Sequence, residues 1–328
     1  MDFIAIINLA LGELVSPITA TFVLCAIGLS VHFGFTGLLN FGQAAFAAVG
    51  AYGMAIAILT FDAPLWLAVI AGMVASVLFA LVLGIPTLRL RADYLAIVTI
   101  ATSEVFRYLM TTIGFAEVTG GSNGLSQFGD EFWALNPFPA GPTYGFGPFS
   151  YRNDQFFMIV VAWSLVIIGA LILRLLMRSP WGRVLKGIRE DEDAVRSLGK
   201  DVFAYKLQAL IIGGLFASLG GMVFVINLSN VQPQSWGTTF TFLIWTVLLL
   251  GGAATILGPI AGGMVFFAII SITQGVMGGL VNIGWLPFLT QPQVGQIRFI
   301  LIGLSLMLLV IFRPQGMFGN KKELQFNG

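Results

Sequence analysis

Long apolar runs that are almost free of charged side chains constrain this fold more than any other feature of the sequence. The first lysine or arginine is Arg89, and only 9% of the residues are charged. Soluble domains carry roughly 25% charged residues, so this chain has too few polar side chains to cover a water-facing surface. The sequence therefore predicts a multi-pass protein of the lipid bilayer. The absence of a basic N-terminal region also argues against a cleaved signal peptide.

The apolar runs predict an all-α polytopic membrane protein with about nine transmembrane helices, within a range of eight to ten. One helix needs ~20 apolar residues to cross ~30 Å of hydrocarbon, and lipid forces the backbone to pair its own polar groups. Membrane barrels would show short alternating strands instead. A further segment at 3–15 is expected to be an interfacial helix or part of the first span. The expected spans are 17–33, 43–60, 64–86, 94–114, 155–177, 205–227, 239–258, 260–282 and 297–313.

Basic residues cluster in three connections, which predicts the orientation of the chain. Nine alternating spans place all three connections on one side, and the positive-inside rule makes that side the cytoplasm. We therefore expect an external N-terminus, a cytoplasmic C-terminus and an extracytoplasmic loop at 115–154. The connections contain Arg89 and Arg91, then residues 174–206, and finally Arg313, Lys321 and Lys322.

Charge is most concentrated in residues 178–204, which we expect to form a cytoplasmic loop. Ser179 is suited to cap a helix and Pro180 to begin it, while Gly199 is suited to end it. One amphipathic helix is therefore predicted over residues 181–198. Both signs of charge occur on it, which fits a protein surface better than anionic lipid. A solvated loop that only anchors topology is the alternative. The predicted apolar positions are Val184, Leu185, Ile188, Val195 and Leu198.

Six segments, in this order, resemble the M-type subunit of the branched-chain amino acid permease family of ABC importers. They are GFTGLLNFGQAAFAAVGAY (34–52), LRLRADYLAIVTIATSE (88–104), TGGSNGL (119–125), SPWGRVLKGIREDE (179–192), LLGGAATILGPIAGG (249–263) and RPQGMFG (313–319). Residues 193–199, DAVRSLG, also resemble the coupling-loop signature of such permeases. Together they resemble the family over nearly the whole chain.

The resemblance implies one permease domain over residues 1–328 in a bacterial cytoplasmic membrane. Its expected partners are an H-type permease, two cytoplasmic ATPases and an extracytoplasmic solute-binding protein. The complex would import branched-chain or related amino acids by alternating access. The resemblance also implies that a coupling helix docks on an ATPase. The expected docking residues are Arg183, Lys186, Arg189, Glu190, Asp191, Glu192, Asp193, Ala194 and Gly199.

Residue chemistry argues against an enzyme. A phosphate-binding loop needs GxxxxGK followed by Ser or Thr, but Gly199 and Lys200 precede Asp201. A lone histidine, His32, is expected to be a structural hydrogen-bonding group, and Cys25 has no cysteine partner for an internal disulfide. A net charge of +1 gives no reason to expect nucleic acid. We therefore expect no catalytic residues, metal site or cofactor.

Several features of the predicted spans bear on transport. Small residues crowd 42–53 and 251–258, which suits a substrate path with broken helices, tight helix packing, or both. Gly258-Pro259 is expected to break or turn a helix. Glu104 lies inside a predicted span, where it would meet a substrate ammonium group or pair with Arg107. The other candidate path residues are Gln43, Thr102, Ser103, Thr241 and Thr246.

Two alternative functions stay open at this point. A urea or short-amide permease of the same family would share these motifs. An ion-coupled secondary transporter would share the composition but would work without ATPases. An integral membrane enzyme is the least favoured class, since no catalytic cluster or nucleotide motif is present.

Overall fold

The computed structural model describes residues 3–90, 92–284, 291–313 and 315–319. Within them the chain is built from fourteen α-helices and a small two-stranded sheet, which confirms the predicted all-α class. The strands are β1 (Leu125–Ser126) and β2 (Asn230–Val231). The helices are α1 (Phe3–Glu13), α2 (Pro17–Leu29), α3 (Gln43–Phe61), α4 (Leu65–Thr87), α5 (Ala92–Thr111), α6 (Ala116–Thr119), α7 (Asp130–Ala134), α8 (Asn153–Arg178), α9 (Pro180–Glu190), α10 (Glu192–Ser197), α11 (Val202–Leu228), α12 (Thr238–Gly251), α13 (Gly258–Asn282) and α14 (Gln291–Phe312).

Six helical segments among the described residues are long and apolar enough to cross a membrane. They are α2 with the π-helix that continues it (Ser30–Phe35), α3, α4, α8, α11 and α13. Helices α5, α12 and α14 overlap the other three predicted spans, and the count of nine stays a prediction. Segment 3–15 is a separate helix, because the chain turns after Glu13 and the Ser16 hydroxyl caps α2 by accepting from the Thr19 N–H at 3.2 Å.

The predicted span 239–258 is too long. Helix α12 ends at Gly251, because Gly252 adopts a φ of +113° that an α-helix cannot contain. The chain then turns until Gly258 and Pro259 begin α13. The expected break at this Gly-Pro pair is therefore present, but it begins six residues earlier than predicted, at Gly252.

Helices α2, α3 and α11 form the centre of the bundle, where backbones touch through small residues. A side chain at Gly28 would run into the Gly213 carbonyl, and one at Gly221 into the Ala47 carbonyl. Such close approach lets van der Waals contact hold helices together in lipid, where the hydrophobic effect gives no drive. The small residues of α3 thus serve tight packing, as one of the two interpretations predicted.

The long 115–154 loop gathers with other connections at one end of the bundle. Strand β1 pairs with β2 of the α11–α12 connection, with Leu125 opposite Val231. Glu131 accepts a hydrogen bond from the Leu65 N–H at 2.6 Å, and the Tyr151 hydroxyl donates to the Gly12 carbonyl at 3.0 Å. Burial, aided by the Glu13 carboxylate, raises the pKa of Tyr151, so this phenol keeps its donor proton.

The basic connections meet at the opposite end. The Arg89 guanidinium lies 5.7 Å from the centre of the Phe203 ring, which joins the α4–α5 connection to the start of α11. The Met317 N–H donates to the Leu250 carbonyl at 2.9 Å, which brings residues 315–319 to the end of α12. This grouping is what the orientation prediction requires. Arg91, Lys321 and Lys322 lie outside the described residues.

Candidate functional site

The helix that begins with α2 breaks inside the bundle. The π-helix Ser30–Phe35 is followed by irregular backbone to Gly42, and we call residues 36–42 the broken segment. Helix α3 then begins deep in the protein, since Phe46 packs on Gly214 of α11. Gly214 lies twelve residues after Val202, about 18 Å along α11 at 1.5 Å per residue. Irregular backbone at membrane depth is tolerated where protein surrounds it or where it lines a cavity.

Two glycines allow the chain to take this path. Gly37 adopts a φ of +75°, the left-handed conformation that ends helices and that other residues adopt only with strain. Gly42 lies against α5, where an added Cβ would come within 2.8 Å of the Thr99 carbonyl oxygen. The broken segment therefore depends on glycine both for its conformation and for its contact with α5.

Asn40 is the centre of the hydrogen bonds in the broken segment, and its side chain is buried. Its Oδ1 accepts from the Gly42 N–H at 2.8 Å, and its Nδ2 lies 3.2 Å from Gln43 Oε1 and 3.0 Å from His32 Nδ1. Its backbone carbonyl accepts from Trp245 Nε1 at 3.2 Å. These bonds satisfy polar groups that the break would otherwise leave unpaired in a low-dielectric interior.

His32 is fully buried at the end of the π-helix. Since Nδ1 faces the Asn40 amide, Nε2 carries the proton and donates to the Leu210 carbonyl at 3.1 Å. His32 therefore links the broken segment to α11, which agrees with the structural hydrogen-bonding role expected of it.

Helices α5 and α12 each supply a hydrogen-bond acceptor to the backbone at the start of α3. The hydroxyl of Thr99 accepts from the Phe41 N–H at 3.0 Å, and that of Thr241 accepts from the Ala44 N–H at 3.1 Å. The first N–H groups of a helix otherwise lack partners and attract negative charge. The start of α3 is thus held by hydroxyl groups from two neighbouring helices.

Glu104 lies on α5, five residues after Thr99, and its side chain is 28% exposed. One carboxylate oxygen accepts from Arg107, with Nη2 at 2.7 Å, and the other accepts from the Thr238 hydroxyl at 2.8 Å. The predicted pairing of Glu104 with Arg107 is present, and the carboxylate is also fixed to the first turn of α12.

The structure brings together only some of the predicted path residues. Gln43 and Thr241 lie at the start of α3, and Glu104 lies on the neighbouring helix. Thr102 and Thr246 donate to carbonyls of their own helices. Ser103 is buried, and its hydroxyl has no hydrogen-bond partner among the described residues.

Three residues of this site were not predicted from the sequence: Asn40, Thr99 and Thr238. The sequence Asn-Phe-Gly at 40–42 could have indicated that the helix breaks there, because asparagine and glycine are common where helices end.

The charged loop forms two helices rather than the single helix predicted over 181–198. Helix α9 begins as expected, with Ser179 as cap and Pro180 in the first turn. It ends at Glu190 because Asp191 takes an extended conformation and caps a second helix, α10, by accepting from the Ala194 N–H at 2.9 Å. Gly199 then adopts a φ of +77° and ends α10 as predicted.

Fewer of the predicted apolar positions face the protein interior than expected. Leu185 and Ile188 are buried, and Val184 and Val195 are partly buried, but Leu198 is 79% exposed. Leu198 therefore belongs to the outer surface of the two helices. It is a single exposed apolar side chain, with Arg196 and Lys200 close to it in the sequence.

Three of the nine expected docking residues are partly buried against the rest of the protein. Arg189 is 9% exposed and donates from Nη1 to the Gly34 carbonyl at 2.7 Å. Glu192 forms ion pairs with Lys206 of α11 and with Arg196, the latter at 2.8 Å. Lys186 is partly buried, with its ammonium group 5.8 Å from the centre of the Phe35 ring. The exposed members are Arg183, Glu190, Asp191, Asp193, Ala194 and Gly199.

The sequence matches known permeases over most of its length. Residues 15–311 match the family described as "Branched-chain amino acid transport system / permease component". The high-affinity branched-chain amino acid transport system permease protein LivM of Escherichia coli (strain K12) is 30% identical over 313 residues, which cover 92% of this chain and 69% of that protein. The probable branched-chain amino acid transport permease protein LivM of Methanocaldococcus jannaschii is 23% identical, covering 90% of each chain. The guanosine ABC transporter permease protein NupQ of Bacillus subtilis (strain 168) is 23% identical over 76% of this chain and 77% of its own.

Proposed function

The chain belongs to the family of branched-chain amino acid transport permeases, and from this premise we propose that it imports branched-chain or related amino acids with the help of partner ATPases. As an ABC transporter permease component it is a multi-pass membrane protein and not an enzyme. The observation that carries the proposal is the family match over residues 15–311, joined to a broken helix inside the bundle and charged helices at one end.

The proposed complex contains the partners implied by the family. An H-type permease would pair with this chain in a bacterial cytoplasmic membrane, two ATPases would bind the end that carries α9 and α10, and a solute-binding protein would bind the other end. The N-terminus would then lie outside and the C-terminus in the cytoplasm. The grouping of the basic connections at the α9–α10 end supports this orientation.

The proposed substrate path runs past the broken segment. The start of α3 offers the positive end of a helix dipole, which suits the carboxylate of an amino acid. Glu104, on the adjacent α5, offers a partly exposed carboxylate that suits the ammonium group. In this structure the Thr241 hydroxyl accepts from the Ala44 N–H at the start of α3, and the Thr238 hydroxyl donates to the Glu104 carboxylate. Bound substrate would replace these two hydrogen bonds.

Replacing Glu104 by glutamine is expected to raise the KM for amino acid uptake at least tenfold. The neutral amide keeps the shape of the side chain but loses its attraction for an ammonium group, which is worth roughly 1–3 kcal/mol at a partly buried site. Initial uptake rates in proteoliposomes of the assembled transporter, measured over a range of leucine concentrations, test this. The exposed Glu117→Gln variant is the matched control.

The outcome also separates the two roles considered for Glu104. If it only pairs with Arg107, the variant should lower the apparent melting temperature while KM and the preference among amino acids stay unchanged. That result would remove Glu104 from the proposed path.

The partner ATPases would drive the opening of the substrate path to either side of the membrane. Their closure on ATP would shift the docked α9 and α10, and rigid-body rocking of the two permeases would open the path to alternate sides. ATP can drive this only because the ATPases bind it with different affinity in the two states. The exposed surface of α10 with Leu198 supports docking at this site.

A further inference from the structure

One side chain joins the docking helices directly to the broken segment of the membrane domain. Arg189, near the end of α9, donates from Nη1 to the carbonyl of Gly34, a residue 155 positions away in the chain. The distance is 2.7 Å, and the arginine side chain is only 9% exposed. A buried, charge-assisted hydrogen bond of this length fixes both position and orientation.

The Gly34 carbonyl lies where the π-helix ends. The N–H groups of Gly37 and Leu38, which follow the π-helix, bond instead to the carbonyls of Phe33 and His32. The guanidinium thus supplies a donor to a carbonyl at the negative end of a helix, a position where positive charge is favoured. Arg189 therefore helps to define where the helix stops and the broken segment starts.

The backbone of the broken segment also rests on the stem of this arginine. A Cβ added to Gly37 would lie 3.2 Å from Arg189 Cγ and 3.5 Å from its Cα. On another side, the backbone of Gly34 touches that of Ala254 in the α12–α13 connection. Residues 34–37, which we call the junction, thus contact Arg189 on one side and Ala254 on the other, so a displacement of α9 would act directly on their backbone.

Beside this junction is a cavity of about 290 Å³ between the broken segment, α5, α9 and the start of α11. Gly37 and Arg189 both line it, so open space adjoins their contact. Its lining includes Thr36, Leu38, Leu95, Ile188, Glu192 and Lys206.

We propose that Arg189 is a positioning residue that transmits movement of α9 and α10 to the broken segment, and through Asn40 to the start of α3. The path is continuous: Arg189 bonds Gly34, the π-helix leads to His32, and His32 bonds Asn40. This inference rests on the proposed function, because it takes α9 and α10 as the docking site and the broken segment as part of the substrate path.

The test compares transport with ATP hydrolysis in the complete transporter. Arg189→Gln removes the charge, the bond to the Gly34 carbonyl and the 3.4 Å contact of Nη2 with Glu190 Oε1, while every exposed docking side chain keeps its identity. We expect the partner ATPases to copurify and to hydrolyse ATP at rates within about twofold of wild type, while leucine uptake in proteoliposomes falls at least tenfold. The number of ATP molecules hydrolysed per leucine imported should therefore rise at least fivefold. Arg174→Gln, at an exposed position of α8, should leave this ratio unchanged.

A second variant keeps the test decisive if Arg189→Gln does not assemble. Gly37→Ala places a methyl group against the Arg189 stem at a φ of +75°, and Arg189→Lys keeps the charge but not the geometry of the guanidinium. Each should raise the ratio of ATP to leucine. A ratio that stays at the wild-type value in all assembled variants overturns the proposal, since a merely structural role would lower both rates together. Failure of the proposed function is distinguishable, because the wild-type complex would then show no ATP-driven uptake.

Discussion

Replacing Leu198 by aspartate is expected to release the partner ATPases and to abolish ATP-driven uptake. Leu198 is 79% exposed at the end of α10, polar and charged residues flank it in the sequence, and its apolar side chain contributes little to the core. In the proposed docking on α10, a carboxylate at position 198 would remove apolar contact area and would lie unpaired against the ATPase. Truncations at interface hot spots cost about 2 kcal/mol or more, roughly 30-fold in Kd, and we expect a loss of this size here. Copurification of the ATPases with the tagged permease is the direct measurement.

The matched control for this substitution lies at the opposite end of the bundle. Leu135 is 63% exposed after α7, so Leu135→Asp adds the same charge at a similar exposure without touching α9 or α10. It should retain the ATPases. If Leu198→Asp retains them as well, with normal uptake, the docking site is not on α10.

Replacing Asn40 by leucine is expected to cause the largest loss inside the membrane domain. Leucine has a similar size but leaves the Gly42 N–H, the Gln43 amide oxygen and His32 Nδ1 without their present partner in a buried site. Each buried polar group left unpaired costs roughly 1–3 kcal/mol, so the total is about 3 kcal/mol or more. We expect a clearly lower apparent melting temperature in detergent and uptake below one tenth of wild type.

Thr21→Val provides the comparison for Asn40. Thr21 is fully buried on α2, and its hydroxyl has no hydrogen-bond partner among the residues that the structure describes. Removing that hydroxyl should therefore change neither the melting temperature nor uptake. Equal behaviour of the two variants would show that the hydrogen bonds of Asn40 do not hold the broken segment in place.

The sequence predicted the long helices well because lipid allows few alternatives. An apolar run of about twenty residues must form a helix in the bilayer, so the positions of α3, α4, α8 and α11 followed from composition alone. The N-terminus of α9 followed from Ser179 and Pro180, whose capping chemistry is local. These features depend on residues close together in the chain.

Other features depend on contacts between distant residues, and the sequence did not reveal them. The division between α9 and α10 arises at Asp191, an acidic residue among several whose capping role is visible only from its contact with Ala194. The inward turn of Arg189 depends on Gly34, 155 residues away. The hydroxyl groups of Thr99 and Thr241 at the start of α3 could be assigned only once three helices were placed together.

The surroundings of the partly buried Glu104 could be predicted only in part from the sequence. Its neighbour at i+3, Arg107, was identifiable from helical spacing, and the ion pair at 2.7 Å is present. Its second partner, Thr238, lies 134 residues further on and fixes the carboxylate against α12. Spacing along one helix thus predicted half of the environment of this residue.

Uptake in reconstituted vesicles tests the central claim most directly. The purified permease complex is placed in liposomes with its solute-binding protein outside, and radiolabelled leucine accumulation is followed with and without ATP inside. We predict accumulation that requires internal ATP, is blocked by vanadate and is insensitive to ionophores. Leucine uptake by this chain alone, without ATPase subunits and driven by a proton or sodium gradient, would contradict the account.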